Sequence, residues 1–213
     1  MVFPLKGFTF DWYIQMWNAS RLHQALWNSI KVGLIASIFS TFIALFAAKA
    51  FSRYRVKYRG LSYGAILLPF IIPEIIIAVA MIVIWTSMGL QLGLIPITIS
   101  HILFCTPFCL LILISRMEGF DKSLEEASMD LGEGVMGTFW RVTFPLVLPG
   151  IIASLLLSFV ISFDEFILAF FLSSSDQTLP IYMWGQLRFP KKLPHVLALG
   201  AIIIVATSFI VML

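Results

Sequence analysis

Five long apolar stretches, separated by short polar intervals, dominate the hydropathy pattern of the chain. They lie near residues 27–50, 61–88, 93–115, 145–172 and 195–213. A helix needs about 20 predominantly apolar residues to cross a bilayer, so each stretch predicts a membrane span. Of the 213 residues, 60% are hydrophobic and 12% are charged, which is more apolar sequence than a soluble core needs. The pattern predicts an all-α polytopic membrane protein that forms a single domain over residues 1–213.

Residues 1–26 precede the first span and do not have the pattern of a signal peptide. They lack a basic start followed by a continuous apolar core. They do contain Trp12, Tyr13 and Trp17, residue types that concentrate at the interface between membrane and water. We therefore expect residues 1–26 to form an interfacial segment on the outer side of the membrane.

The basic residues predict the orientation of the spans. The connection after the first span carries a dense group of them, Arg53, Arg55, Lys57 and Arg59. By the positive-inside rule this connection is cytoplasmic. Alternation of the spans then places residues 116–144 inside and residues 173–194 outside. The outer connection also contains basic residues, but they are less dense, so the first group decides the assignment.

The longest polar interval, from Ser123 to Pro149, predicts a short amphipathic helix between two spans. Ser123 and Glu126 have the spacing of a capping box, so a helix should begin at Ser123. An apolar stripe then recurs at helical spacing, formed by Leu124, Ala127 or Ser128, Leu131 and Val135.

Glycines at positions 132, 134 and 137 should end or bend this helix. A second short helix over residues 138–144 should then lead to Pro145, where the chain re-enters the membrane. A short amphipathic helix between spans must lie against lipid headgroups or against a soluble partner.

This interval resembles the EAA loop of ABC importer permeases, which reads Glu-Ala-Ala, three residues, Gly, nine residues, Ile-x-Leu-Pro. Here Glu126-Ala127-Ser128 is followed by three residues and Gly132, and nine residues later by Val142-x-Phe144-Pro145. Ser128, Val142 and Phe144 are conservative departures. The flanking sequences RVTFPLVLPGI, SFDEFILAFFL and TLPIYMWGQLRF are similar to the spermidine/putrescine branch of these permeases.

The resemblance implies the fold of a type I ABC importer transmembrane domain and a coupling helix that docks on an ATPase. The coupling loop would span residues 116–144, with its contacts made by Glu125, Glu126, Ala127, Ser128, Leu131 and Gly132. The family also has a helix before the segment matched by residues 1–26. Either the true start of this protein lies upstream, or the chain has been shortened.

The resemblance also implies partners for a multi-pass protein of the bacterial cytoplasmic (inner) membrane. These are a cytoplasmic ABC ATPase dimer, a second and related permease, and an extracytoplasmic solute-binding protein, with no nucleic acid. This chain is not itself expected to be an enzyme, because it has no Walker, GxSxG, HExxH or GxGxxG pattern. No cofactor is expected in it, since ATP and Mg²⁺ would bind the partner ATPase.

Three acidic residues fall inside predicted spans, namely Glu74, Asp164 and Glu165. An ionised carboxylate at the bilayer centre costs roughly 2.5–3.5 kcal/mol, so these side chains should face protein or water. They either line a route for a cationic solute or bond to groups exposed at proline kinks. Because successive helix residues point about 100° apart, Asp164 and Glu165 cannot face one pathway equally.

The histidines and cysteines suggest no metal or catalytic site. His23, His101 and His195 lie near the ends of spans and predict interfacial packing, and Cys105 and Cys109 predict small buried residues. An ion-coupled carrier or a channel for a small cation is the alternative function, since acids and proline-broken helices suit it. Such a protein has no use for the polar loop.

Overall fold

The computed structural model describes Thr9 and residues 11–212, and the regular structure of this part of the chain is helical. The α-helices in it are α1 (Asp11–Trp17), α2 (Ser20–Arg53), α3 (Arg59–Ile71), α4 (Glu74–Ser87), α5 (Leu94–Glu118), α6 (Ser123–Asp130), α7 (Val135–Thr138), α8 (Phe144–Asp164), α9 (Ile167–Leu172), α10 (Leu179–Leu187) and α11 (Leu193–Met212). A π-helical turn (Phe139–Thr143) joins α7 to α8, and a 3₁₀ turn (Pro190–Lys192) precedes α11.

Helices α2, α5 and α8 form the centre of the bundle. The buried face of α2 is made largely of small residues, which let helix backbones approach closely; they include Ala36, Ser40, Ala44 and Ala48. At Gly33 the approach is so close that a Cβ atom would lie 3.0 Å from the Phe159 ring of α8. The opposite face of α2 exposes large apolar side chains such as Phe39 and Phe42. An exposed apolar face of this kind suits a lipid environment.

Contacts at the helix ends fix the directions of these three helices. Arg53, in the last turn of α2, donates from Nη2 to the carbonyl oxygen of Met117 near the end of α5, at 3.0 Å. Arg116 donates from Nε to the carbonyl oxygen of Leu146 near the start of α8, at 3.1 Å. Helices α2 and α5 are therefore parallel, and α8 runs antiparallel to both.

Because α2 and α5 end together, the residues between them must return the chain to the other end of the bundle. Helices α3 and α4 do this as one broken crossing, with a bend of 103° between them. The prediction of one continuous span over 61–88 is therefore wrong in detail. The break lies at Ile72, which is extended (φ −75°, ψ 133°), because the ring of Pro73 disfavours helical backbone at the preceding residue.

The predicted span 145–172 is also divided differently. Helical structure is continuous from Val135 to Asp164, so the separate short helix predicted over 138–144 does not exist. The π-helical turn bridges the region instead and ends two residues before Pro145. The helix then stops at Glu165, which is extended (φ −68°, ψ 124°), and α9 follows.

Not every apolar helix is long enough to cross a membrane. In the described part of the chain, three continuous helices are long and apolar enough, α2, α5 and Val135–Asp164, and the bent pair is a fourth. The apolar segment Leu193–Phe209 of α11, which overlaps the stretch predicted near 195–213, is shorter. The predicted first span near 27–50 is longer than expected, since α2 begins at Ser20.

The early start of α2 also shortens the interfacial segment predicted over residues 1–26. Residues 1–8 and 10 lie outside the described residues, and the rest of the segment forms α1 and the first turns of α2. Helix α1 packs on α11, where Trp12 meets His195 edge to face at 5.2 Å between ring centroids. Trp17 and His23 make a similar contact at 5.1 Å.

Candidate functional site

Helix α6 lies in the polar loop and begins with a different cap from the one predicted. The helix begins at Ser123 as predicted, but the cap position is Lys122. The Glu126 N–H donates to the carbonyl oxygen of Lys122 at 3.1 Å, so the predicted capping box of Ser123 and Glu126 is wrong. Asp121 takes this role, since its Oδ1 accepts the Ser123 backbone N–H at 3.0 Å. This hydrogen bond holds the pKa of the Asp121 carboxyl below its usual value, because it favours the charged form.

The two adjacent glutamates of α6 have different surroundings. Glu126 is exposed, and so is Ala127. Glu125 is buried, with its Oε2 atom 2.6 Å from Nε of Arg53. The hydroxyl of Thr143, in the π-helical turn, donates to Oε1 of the same carboxylate. Glu125 therefore attaches α6 to the rest of the bundle, a role that its place in the polar loop did not predict.

The apolar side chains of the loop face away from the bundle. Leu124, Leu131 and Val135 are 47%, 88% and 59% exposed, respectively. The predicted single helical stripe is wrong in one respect, because α6 ends at Asp130 and Val135 belongs to the next helix. All three apolar side chains are nevertheless uncovered, and we call them together the loop patch.

Gly132 allows the sharp turn between α6 and α7. Its φ angle is +95°, a conformation that side-chain-bearing residues rarely adopt, and a Cβ added there would meet open space, with no non-neighbouring atom within 4 Å. The left-handed backbone alone therefore favours glycine at this position. The turn is held by Ser128 and Thr138, whose hydroxyl oxygens are 3.1 Å apart, and by an ion pair between Glu133 and Arg141.

Glu165 lies at the break between α8 and α9, and its carboxylate is fully engaged. Its two oxygens accept the backbone N–H groups of Leu168 and Ala169 at 2.9 and 3.1 Å, which caps α9. Nε2 of His101 lies 3.2 Å from Oε2 of Glu165. The interfacial packing predicted for His101 is wrong, because this side chain is 1% exposed in the middle of the bundle.

Asp164, the neighbouring acid, has a different environment. Its residue is exposed and it lines a cavity of about 450 Å³ between the α8–α9 break, α10 and α11. Aromatic rings line the same cavity, among them Phe163, Phe166 and Trp184. The centroids of the Phe166 and Trp184 rings are 5.6 Å apart. A carboxylate beside aromatic faces suits an organic cation.

Glu74, the third predicted acid, begins α4 at the bend of the broken crossing and is half-buried. Its position in the first turn lets the helix dipole stabilise a negative charge. Helix α4 packs on α9, where Ile77 and Ala78 share a buried cluster with Leu168. The fold therefore brings Glu74 to the α8–α9 break, although the sequence placed it two spans away.

Sequence reasoning missed four residues that hold this arrangement, namely Arg53, His101, Asp121 and Thr143. Arg53 carried a signal, since it is the first of the basic group, but that group indicated only orientation. Both cysteines are buried, as predicted, and neither forms a disulfide. Among the described residues, no cluster of three His, Cys, Asp or Glu side chains could hold a metal ion.

Residues 40–213 match the family described as the binding-protein-dependent transport system inner membrane component. The chain is 31% identical to the spermidine/putrescine transport system permease protein PotC of Haemophilus influenzae, over 98% of this chain and 81% of that protein. It is 26% identical to the putrescine transport system permease protein PotI of Escherichia coli, over 96% of this chain and 75% of that protein.

Solved structures agree on the fold. A bacterial alginate ABC transporter in complex with a pentasaccharide-bound periplasmic protein has a TM-score of 0.77 at 16% identity, covering 96% of this chain and 81% of that one. An amino acid ABC transporter has a TM-score of 0.71 at 14% identity, covering 95% of both chains. The predicted fold of a type I ABC importer transmembrane domain is confirmed. The chain belongs to the inner membrane components of binding-protein-dependent transport systems, as a permease subunit of an ABC importer.

Proposed function

We propose that α6 and the loop patch are the surface on which a cytoplasmic ABC ATPase docks. The observation that supports this proposal is the division of α6 into an attached side and an uncovered side. Glu125 holds the helix to the bundle, while Leu124, Leu131 and Val135 remain exposed. Uncovered apolar patches rimmed by polar residues are typical of protein interfaces. Glu126 lies at the rim, where it can meet a basic or polar group of the partner.

The proposed docking surface also implies further subunits. One copy of this chain supplies one α6, so an engine of two ATPase subunits needs a second permease. We propose a related chain in that position, and a solute-binding protein that delivers solute to the outer connection 173–194. ATP and Mg²⁺ bind the ATPase, and this permease converts the movement of α6 into alternating access of the pathway to the two sides.

The solute that we propose is a polyamine such as spermidine or putrescine. Two relatives carry these substrates in their names, and the cavity beside Asp164 has suitable chemistry. The Asp164 carboxylate can attract one ammonium group of the polyamine. The rings of Phe166 and Trp184 can contact another ammonium group and the methylene groups next to it. A cation over an aromatic face gains about 0.5–2 kcal/mol, depending on its desolvation. Such contacts are weak enough to release the solute, which transport requires.

The three intramembrane acids have different parts in this proposal. Asp164 meets the solute in the cavity, and Glu74, half-buried at the bend, offers a second carboxylate along the route. Glu165 already accepts two backbone hydrogen bonds and faces His101. We therefore propose that Glu165 holds the shape of the break and contacts the solute least.

The experiment is uptake of radiolabelled spermidine and putrescine by proteoliposomes that contain the purified complex. We expect an ATPase to copurify with this chain, and uptake to require ATP on the side that α6 faces and the binding protein on the opposite side. Excess unlabelled polyamine should compete, whereas alginate or histidine should not. Uptake driven by an ion gradient without a copurified ATPase would instead identify a carrier that works alone.

A further inference from the structure

Three helices of the described chain meet at the buried carboxylate of Glu125. Glu125 itself is on α6, and its Oε2 atom is 2.6 Å from Nε of Arg53 in the last turn of α2. Thr143, which donates its hydroxyl to Oε1, directly precedes α8. The carboxylate thus attaches α6 to two of the three helices at the centre of the bundle.

Arg53 extends the same set of contacts to α5. Its Nη2 atom donates to the Met117 carbonyl oxygen at 3.0 Å. Its guanidinium group lies 4.5 Å from the centroid of the Phe120 ring, in the connection from α5 to α6. The planar guanidinium has several N–H donors, so it can make these two contacts and the ion pair at the same time. A lysine ammonium is a single compact charge and is less suited to all three.

Burial distinguishes this ion pair from the others around the loop. The Arg53 and Glu125 side chains are 8% and 11% exposed, whereas those of Arg59 and Glu118 are 60% and 57% exposed at a separation of 3.9 Å. A water-exposed pair is screened and exchanges readily. A shielded pair with further hydrogen bonds holds its partners in one geometry, because the interaction is stronger where water is excluded.

The π-helical turn explains why such an attachment is needed. In residues Phe139–Thr143 the regular α-helical hydrogen-bond pattern is interrupted, and such turns are frequent at functional sites and kinks. Without a second attachment, α6 and α7 could swing about this turn without moving α8. The Glu125 contacts supply this attachment, because they connect α6 to Arg53 at the end of α2 and to Thr143, the last residue of the turn, beside the start of α8.

We infer that Arg53 is a positioning residue for energy coupling. Through Glu125 it makes α6 and the adjoining ends of α2, α5 and α8 move as one body, so that displacement of α6 by the ATPase moves the spans. The inference rests on the proposed function, because it requires that α6 contacts the ATPase.

The test uses the reconstituted complex, with the permease, its partner permease, the ATPase and the binding protein. Spermidine uptake and ATP hydrolysis are measured together, and the quantity of interest is solute transported per ATP hydrolysed. We expect Arg53→Gln to lower this ratio about 10-fold while the ATPase still copurifies. Glu125→Gln should do the same, since it preserves the shape and the acceptor for Thr143 but removes the charge. Arg53→Lys should restore part of the ratio.

Arg55→Gln is the matched control, because Arg55 is an exposed arginine in the same basic connection. It should leave the ratio at the value of the unsubstituted complex. A parallel fall of uptake, hydrolysis and copurification in Arg53→Gln and Glu125→Gln, with the ratio unchanged, would show a merely structural role and overturn the inference. An unchanged ratio at full activity would overturn it as well. Absence of the ATPase from the unsubstituted complex would overturn the proposed function together with the inference.

Discussion

Nε2 of His101 lies 3.2 Å from Oε2 of Glu165, and both side chains are almost completely buried. Nδ1 of the same ring lies 2.7 Å from the Ser162 hydroxyl oxygen. The imidazole therefore lies between the Ser162 hydroxyl on one side and the Glu165 carboxylate on the other. Helix α5 is thereby connected to the break between α8 and α9, and the carboxylate gains a polar neighbour inside an apolar bundle.

Removal of the Glu165 carboxylate should destabilise the permease. Glu165→Ala leaves the Leu168 and Ala169 N–H groups without their acceptor and removes the acidic neighbour of His101. A buried donor that is left without an acceptor costs about 1–3 kcal/mol. Glu165→Gln keeps one acceptor oxygen and should lose less. Thermal unfolding in detergent measures both changes, with Asp164→Asn as the control at the neighbouring exposed acid. Equal melting temperatures for Glu165→Ala and the control would contradict the capping role.

Replacement of Asp164 should affect transport more than stability. We expect Asp164→Asn to lower polyamine uptake about 10-fold, because a charged partner of the ammonium group in the cavity is lost and a hydrogen bond to a charged group contributes about 1.5–3 kcal/mol. Asp164→Glu should retain much of the uptake. The measurement is initial uptake rate at a fixed amount of copurified ATPase. Unchanged uptake in Asp164→Asn, in Glu165→Gln and in the double variant would leave only structural roles for these acids.

Substitution of Gly132 should disturb the proposed docking surface without affecting membrane insertion. A side chain at φ +95° strains the backbone by roughly 1 kcal/mol or more, and relief of that strain would redirect Leu131. We expect Gly132→Asp to abolish uptake and to weaken ATPase copurification. Gly134→Asp is the control, because Gly134 has an ordinary φ of −73° and open space around it.

Glu126→Lys should also abolish uptake and weaken ATPase copurification, but for an electrostatic reason. The side chain is exposed beside the loop patch, so reversal of its charge would oppose a basic group of the ATPase while leaving the fold intact. Uptake and ATPase copurification are measured as for Gly132. Normal uptake with an undiminished yield of ATPase would contradict the assignment of α6 as the coupling helix.

The start of α6 should loosen in acid. The hydrogen bond from Ser123 lowers the pKa of Asp121 in the folded protein. The unfolded value is about 3.9, so the contribution of this cap is fully present above that pH and is lost as the pH falls through the lower folded pKa. Hydrogen exchange of the α6 amides, followed as the pH is lowered, measures the effect. Asp121→Asn keeps an acceptor without the charge, and its α6 exchange should lose this pH dependence.

The sequence by itself determined the class, the family and the place of the polar loop. These properties depend on local patterns, since a run of apolar residues predicts a buried helix whatever its neighbours are, and the EAA pattern is contiguous. The break in the second crossing was not predicted, although its cause is local, because the ring of Pro73 acts on the residue next to it.

Only the tertiary structure decided what each charged residue does. Asp164 and Glu165 are neighbours of the same charge, yet one lines a cavity and the other is buried against His101. Glu125 and Glu126 differ in the same way, because Arg53 forms an ion pair with Glu125. The physical reason is that a charge in an apolar bundle is stabilised by a partner on another helix. Which partner the charged residue meets depends on how the helices pack, and local sequence patterns do not predict this packing.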